Sequence, residues 1–122
     1  MKKILIVEDE RALLRALVEK LSRENLLVFQ AGNGEEGLEM ALKEHPDIIL
    51  LDIVMPKMDG ITMLKKLRED GWGKTAKIIL LTNLSSNEKT AEALALGTNE
   101  YLIKTDWEIA DVVAKVREHL EI

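Results

Sequence analysis

A chain of 122 residues is about one domain's worth, and 47% hydrophobic content allows it a real core. No apolar run approaches the ~20 residues of a bilayer span, and the opening MKKILIVEDE turns acidic too soon for a signal peptide. A net charge of −5, with acids and bases interspersed, and 3% aromatic residues argue against direct nucleic-acid binding by this domain, while the lack of cysteine removes disulfide frameworks and thiolate metal sites and fits a cytoplasmic location.

The first strand is expected at Ile4–Val7, continuously apolar and followed by Glu8 and Asp9. A helical period comes next, with Leu13, Leu14, Leu17, Val18 and Leu21 on one face. Asp9 is a candidate cap at its start, and Asn25 marks its end. A second strand is expected at Leu26–Gln30, then a loop at Gly32-Asn33-Gly34, then a helix with Leu38, Ala41 and Leu42 inward. Pro46 and Asp47 precede a third strand, Ile48–Leu51, which runs into Asp52. Asp59-Gly60 can cap a third helix carrying Ile61, Leu64 and Leu67, closed by Gly71-Trp72-Gly73. The fourth strand, Ile78–Leu81, runs into Thr82. Ser85 and Glu88 have capping-box spacing for a fourth helix with Ala91, Leu94 and Ala95, which Gly97 can end at positive φ. The fifth strand, Glu100–Ile103, runs into Lys104, and a last helix carries Ile109, Val112, Val113, Val116 and Leu120.

Five strands alternating with five helices imply βαβ units and a parallel sheet. Right-handed crossovers make it doubly wound, an α/β sandwich in one domain over residues 1–122. In a parallel sheet all strand C-termini share one edge, where such folds bind ligands. Glu8, Asp9, Asp52, Thr82 and Lys104 would then meet there. Carboxylates packed together repel and call for a cation, and oxygen ligands favour a hard one such as Mg²⁺. An aspartate beside that ion can attack phosphorus to give an acyl phosphate, with Lys104 balancing charge on the transferred group. Alone, Asp52 reads equally as a turn cap, Glu8 as a solvated charge, Thr82 as a β-branched strand end and Lys104 as a surface lysine. Asp59 reads as a cap rather than a ligand. His45 and His119 read as surface residues, the methionines as core filler, and Trp72 and Trp107 as covers of core edges.

The run ILIVEDE, then DIVMPKMDG, ILLTN and YLIK, in this order and spacing, resembles the receiver domain of two-component response regulators from Lys3 to Leu120. The resemblance implies a flavodoxin-like three-layer sandwich with strand order 2-1-3-4-5. It also implies that Asp52 accepts a phosphoryl group from a sensor histidine kinase or phosphotransfer protein. Glu8, Asp9, Asp52 and the Val54 carbonyl would serve Mg²⁺, with Asp9 a direct ligand. Thr82 and Tyr101 would be the switch pair and Lys104 the phosphate-binding lysine. The product would be a switch rather than an enzyme, read by a downstream effector or output domain, and capable of a phosphorylation-dependent homodimer. Two departures stand out: Glu8-Asp9 where Asp-Asp is commoner, and Thr105 where relatives carry a cis-proline. A cis bond before a non-proline costs ~3–4 kcal/mol, so Lys104–Thr105 is expected to be trans, or else a strained cis bond held by its surroundings. Val54 and Leu84, two beyond Asp52 and Thr82, are apolar and cannot orient a water, which predicts slow-to-moderate loss of phosphate. A phosphatase with an aspartyl nucleophile would want an acid where Val54 stands. An FMN carrier would want hydroxyls where EDERALL supplies acids. A scaffold that is never phosphorylated would be expected to lack the acceptor or the lysine.

Overall fold

The structure, a computed structural model, describes residues 1–82, 87–104 and 108–122, with Asn87 described in its backbone only. Five strands, β1 (Lys3–Val7), β2 (Leu27–Ala31), β3 (Ile48–Asp52), β4 (Ile78–Thr82) and β5 (Glu100–Ile103), alternate with five helices. These are α1 (Arg11–Ser22), α2 (Gly34–Glu44), α3 (Gly60–Glu69), α4 (Asn87–Ala95) and α5 (Ile109–Leu120). All strand pairs are parallel, in the order β2-β1-β3-β4-β5, as the resemblance implied. Among the described residues no helix is long and apolar enough to cross a membrane.

The two-residue period of a strand sorts its side chains into two cores. Ile4, Ile6, Ile48, Leu50, Ile79 and Leu81 pack with Leu17 and Leu21 of α1 and Val112, Val113 and Val116 of α5. Leu5, Val7, Ile49, Leu51, Ile78 and Leu80 pack with Ala41 of α2, Met63, Leu64 and Leu67 of α3 and Ala93 of α4. The central strands β3 and β4 are buried at every position, which is why their sequences are unbroken apolar runs. The outer strand β2 is buried only at Ala31.

The departures from expectation have local causes. β2 begins and ends one residue later than its apolar run. β3 and β4 include Asp52 and Thr82, because backbone pairing continues through Asp52↔Leu81 and Thr82↔Ile103 whatever the side chain. A 3-10 helix, Gly73–Thr75, follows α3 where the sequence offered only the closing Gly71-Trp72-Gly73, with Asp70 Oδ2 accepting the backbone N–H groups of Trp72 and Gly73. Asp9 does not cap α1; Glu10 holds that position without a side-chain cap bond. Asn33, in the expected loop, caps α2 by accepting the Glu36 N–H at 2.9 Å. Asp59 caps α3 as expected, accepting from Thr62 N–H at 2.8 Å. Gly97 has the expected positive φ, +84°. His119 is not a free surface residue: its ring lies 2.8 Å from Glu100, because the last turn of α5 lies beside β5. His45 is exposed but stacks on Trp72 at 4.4 Å, and Trp72 covers the edge of the α2–α3 core. Ser85 with its capping box, Leu84, the Lys104–Thr105 peptide and Trp107 fall outside the described residues.

Candidate functional site

The strand period that builds the core also aims the polar residues at the strand ends. Asp52 continues the parity of Ile48 and Leu50, and Glu8 that of Ile4 and Ile6, toward the α1–α5 side. Lys104 continues the parity of Leu102, which packs on that same side. Thr82 has the opposite parity, with Ile78 and Leu80, toward the side of α3 and α4. The register Val7↔Leu51 sets Glu8 and Asp52 next to one another across the β1–β3 pair.

The outcome is a tight triad. Lys104 Nζ lies 3.1 Å from Asp52 Oδ2, to which it donates a hydrogen bond, and 2.5 Å from Glu8 Oε1. Glu8 is fully buried and Asp52 is 4% exposed. Glu8 is therefore not the solvated charge that a helix start would carry. Its second oxygen, Oε2, accepts the Glu10 N–H at 3.0 Å. The contact of Oε1 with Lys104 is an ion pair without hydrogen-bond alignment, and Oε1 has no aligned donor.

Two buried carboxylates and one ammonium leave an excess negative charge. Burial pushes the Asp52 carboxyl from 3.8 up to about 7; the Glu8 charge acts in the same direction and Lys104 pulls back. Burial pulls the Lys104 ammonium down, but the close pairing with Glu8 and the charges of Asp52 and Glu8 outweigh it and raise its pKa.

Glu8, Asp9 and Asp52 each offer a carboxylate oxygen, all within 4.8 Å of one another, with Asp9 the exposed member. An all-oxygen set of this kind suits a hard divalent ion that keeps some of its waters. Val54 follows Asp52 in the loop, its side chain 54% exposed. Thr82 is buried, with its carbonyl accepting the Lys104 N–H at 2.7 Å. Tyr101 is 42% exposed on the outer strand β5.

Two features of the site are not evident from strand tips alone. Gly60 lets α3 start directly under the end of β3: a Cβ there would sit 2.2 Å from the Asp52 carbonyl oxygen. Its N–H donates to the Ile53 carbonyl at 2.7 Å and closes the loop after Asp52. The signal for it was the Asp-Gly pair, read only as a cap. The pairing of Lys104 with Glu8 as well as with Asp52 had no sequence signal, since it depends on side-chain reach between separate strand ends.

The family profile of the response regulator receiver domain matches residues 4–117. Among characterised proteins, the chain is 37% identical over 102 residues to the transcriptional regulatory protein ResD of Bacillus subtilis, covering 84% of this chain and 41% of that protein. It is 33% identical over 117 residues to the response regulator ArlR of Staphylococcus aureus, covering 96% of this chain and 52% of that one. The chain thus spans about half or less of these relatives. Among solved structures, it superposes on a CheY-like receiver domain protein of Methanospirillum hungatei with a TM-score of 0.91 and 30% identity, covering 99% and 94% of the two chains. It superposes on the chemotaxis protein CheY4 of Vibrio cholerae with a TM-score of 0.88 and 29% identity, covering 97% and 98%. With the sheet order, the buried acidic tips and the lysine already in hand, the match over nearly the whole chain establishes that this protein belongs to the response regulator receiver domain family.

Proposed function

We propose that this chain is one receiver unit, residues 1–122, and works as a phosphorylation-driven switch with Asp52 as acceptor. The observation that carries the reading is the Lys104 ammonium at 3.1 Å from Asp52 Oδ2, inside a cluster of three carboxylates. A phosphohistidine on a sensor kinase or phosphotransfer protein supplies the group. The Asp52 oxygen attacks phosphorus, the P–N bond breaks, and the imidazole leaves with the electron pair and takes up a proton. Mg²⁺ held by Asp9 and Asp52, with Glu8 and the Val54 carbonyl, would neutralise charge on the phosphoryl oxygens. Lys104 stays beside Asp52 and balances what remains.

The readout follows from strand parity. Thr82 and Tyr101 both belong to the side of α3 and α4 rather than the side of the triad. A phosphoryl oxygen that draws the Thr82 hydroxyl toward Asp52 empties space on the α4 side, and exposed Tyr101 turns in to fill it. The surface of α4, β5 and α5 then changes population, and an effector, an output domain or a second copy reads the change. Water later cleaves the acyl phosphate. Exposed Val54 offers no hydrogen bond to that water, so the loss of phosphate is slow to moderate, and a polar residue at position 54 should change its rate.

The alternatives make different chemical demands. A phosphatase would need a proton donor at position 54. A scaffold that is never phosphorylated would have no use for the buried Lys104–Asp52 pair. Incubation with acetyl phosphate and Mg²⁺ decides among them: a mass gain of one phosphate is expected in the wild type and not in Asp52→Asn. Absence of the gain in the wild type would favour the scaffold, and multiple turnover of a phosphomonoester would favour the phosphatase.

A further inference from the structure

Helix α4 is loosely held. Of its described side chains Ala93 alone is buried; Glu88, Lys89, Ala91, Glu92, Leu94 and Ala95 are exposed. Its ion pair from Glu92 to Lys65 of α3, 2.7 Å long, joins two exposed side chains and contributes little. The C-terminal end is a different matter. Arg68, in the last turn of α3, lays its guanidinium across that end. Its Nε donates to the Leu96 carbonyl at 2.7 Å and its Nη2 to the Gly97 carbonyl at 2.9 Å. Its Nη1 donates to the carbonyls of Gly73, at 2.5 Å, and Ala76, at 3.0 Å.

No carboxylate pairs with this guanidinium among the described residues. Burial lowers its pKa, yet an arginine stays charged in proteins. Its counterpart is four carbonyl dipoles, two of them just past the end of α4 and two at the 3-10 helix Gly73–Thr75. Helix ends leave such carbonyls without partners and carry partial negative charge. The planar fork reaches all four at once, and charge-assisted hydrogen bonds are the stronger kind. One end of α4 is therefore bolted to α3, while the body of the helix is not.

We propose that Arg68 is the pivot of α4, fixing its C-terminal end so that a rearrangement arriving from Asp52 and Thr82 swings the opposite end. This rests on the phosphorylation reading above. Arg68 is a positioning residue in this scheme and touches neither the acceptor nor the phosphoryl group. It turns a loosely packed helix into a lever of defined direction, so that the surface beside Tyr101 changes by rotation rather than by detachment.

The test uses the full chain and two variants, Arg68→Lys and Arg68→Met. Lysine keeps the charge but loses the fork. Hydrogen exchange is measured first, without any phosphoryl donor. The amides of Leu96 and Gly97, hydrogen-bonded to Ala93 and Leu94 in the native chain, should exchange at least tenfold faster in Arg68→Lys, with protection in α1 and α5 unchanged. Amide chemical shifts are then followed on adding acetyl phosphate and Mg²⁺. In the wild type the changes should be largest near Glu88 and smallest at Leu96 and Gly97. In Arg68→Lys, which should still gain one phosphate, the changes at Leu96 and Gly97 should at least double. Unchanged exchange at Leu96 and Gly97, a loss of protection shared equally by α1 and α5, or shifts spread evenly along wild-type α4 would each overturn the pivot. If Arg68→Met does not fold, Arg68→Lys carries the measurement. If the wild type takes up no phosphate, the switch reading fails, and the exchange experiment still decides whether Arg68 anchors the helix.

Discussion

At the scale of single residues, the acidic rim works against folding. Asp52 is buried beside Glu8, and its carboxyl rises to about 7 where an unfolded chain would hold it near 3.8. A carboxyl raised in this way destabilises the fold progressively as pH climbs from about 4 to about 7, and the penalty is full above that. Asp52→Asn should therefore stabilise the chelator-treated protein by ~1–3 kcal/mol at pH 8 and by less at pH 5. Urea unfolding at the two pH values checks this; equal gains would mean that the repulsion is relieved in some other way. Gly60→Ala acts on the same strand by contact. A Cβ 2.2 Å from the Asp52 carbonyl oxygen cannot be accommodated without moving the backbone. A loss of ~3 kcal/mol or more is expected, with slower phosphate uptake from acetyl phosphate. Sequence made the five polar residues at the strand tips legible, because each interrupts an apolar run at an equivalent place. It could not show that Lys104 sits nearer to Glu8 than to Asp52, since that depends on side-chain reach across two strands.

At the scale of elements, the caps and the outer strand carry the tests. Asp59 is a helix cap rather than a metal ligand, since its Oδ1 accepts the Thr62 N–H. Asp59→Ala should cost ~1 kcal/mol and leave phosphate uptake at Asp52 unchanged; a loss of uptake at unchanged folding would give Asp59 a place in the site. On β5, Glu100 bridges His119 at 2.8 Å and Lys115 at 3.1 Å. Burial raises its pKa, but the bonds to His119 and Lys115 outweigh it and the net shift is downward from 4.5. A carboxyl lowered in the folded state stabilises above its unfolded pKa and loses that contribution as pH falls through the folded one. The thermal midpoint of the wild type should therefore drop below pH 4.5 more steeply than that of Glu100→Gln. Parallel curves would show the bridge to be idle. The helices and strands were readable from periodicity, while Asn33 as a cap and the 3-10 helix after α3 were not. Both depend on a side-chain oxygen turning back onto nearby backbone N–H groups, which a hydrophobic pattern does not register.

At the scale of the whole molecule, two cores share one sheet, and neither face can lose its helices without exposing its own side of β3 and β4 to water. Residues 1–122 are therefore expected to unfold in one two-state transition, with tryptophan fluorescence and far-ultraviolet circular dichroism tracing the same urea curve. Free Mg²⁺ at a hundred times its dissociation constant should raise the unfolding free energy by ~2.7 kcal/mol, and Asp52→Asn should lose most of that gain. The sequence by itself determined the alternation of strands and helices, the burial of β3 and β4 and the set of polar residues at the strand ends, because hydrophobic period and polar interruption are written residue by residue. The tertiary structure alone decided the sharing of Lys104 between Glu8 and Asp52 and the grip of Arg68 on four carbonyls from two separate segments. Those arrangements depend on distances between residues far apart in the chain, and only the packed sheet and helices set such distances.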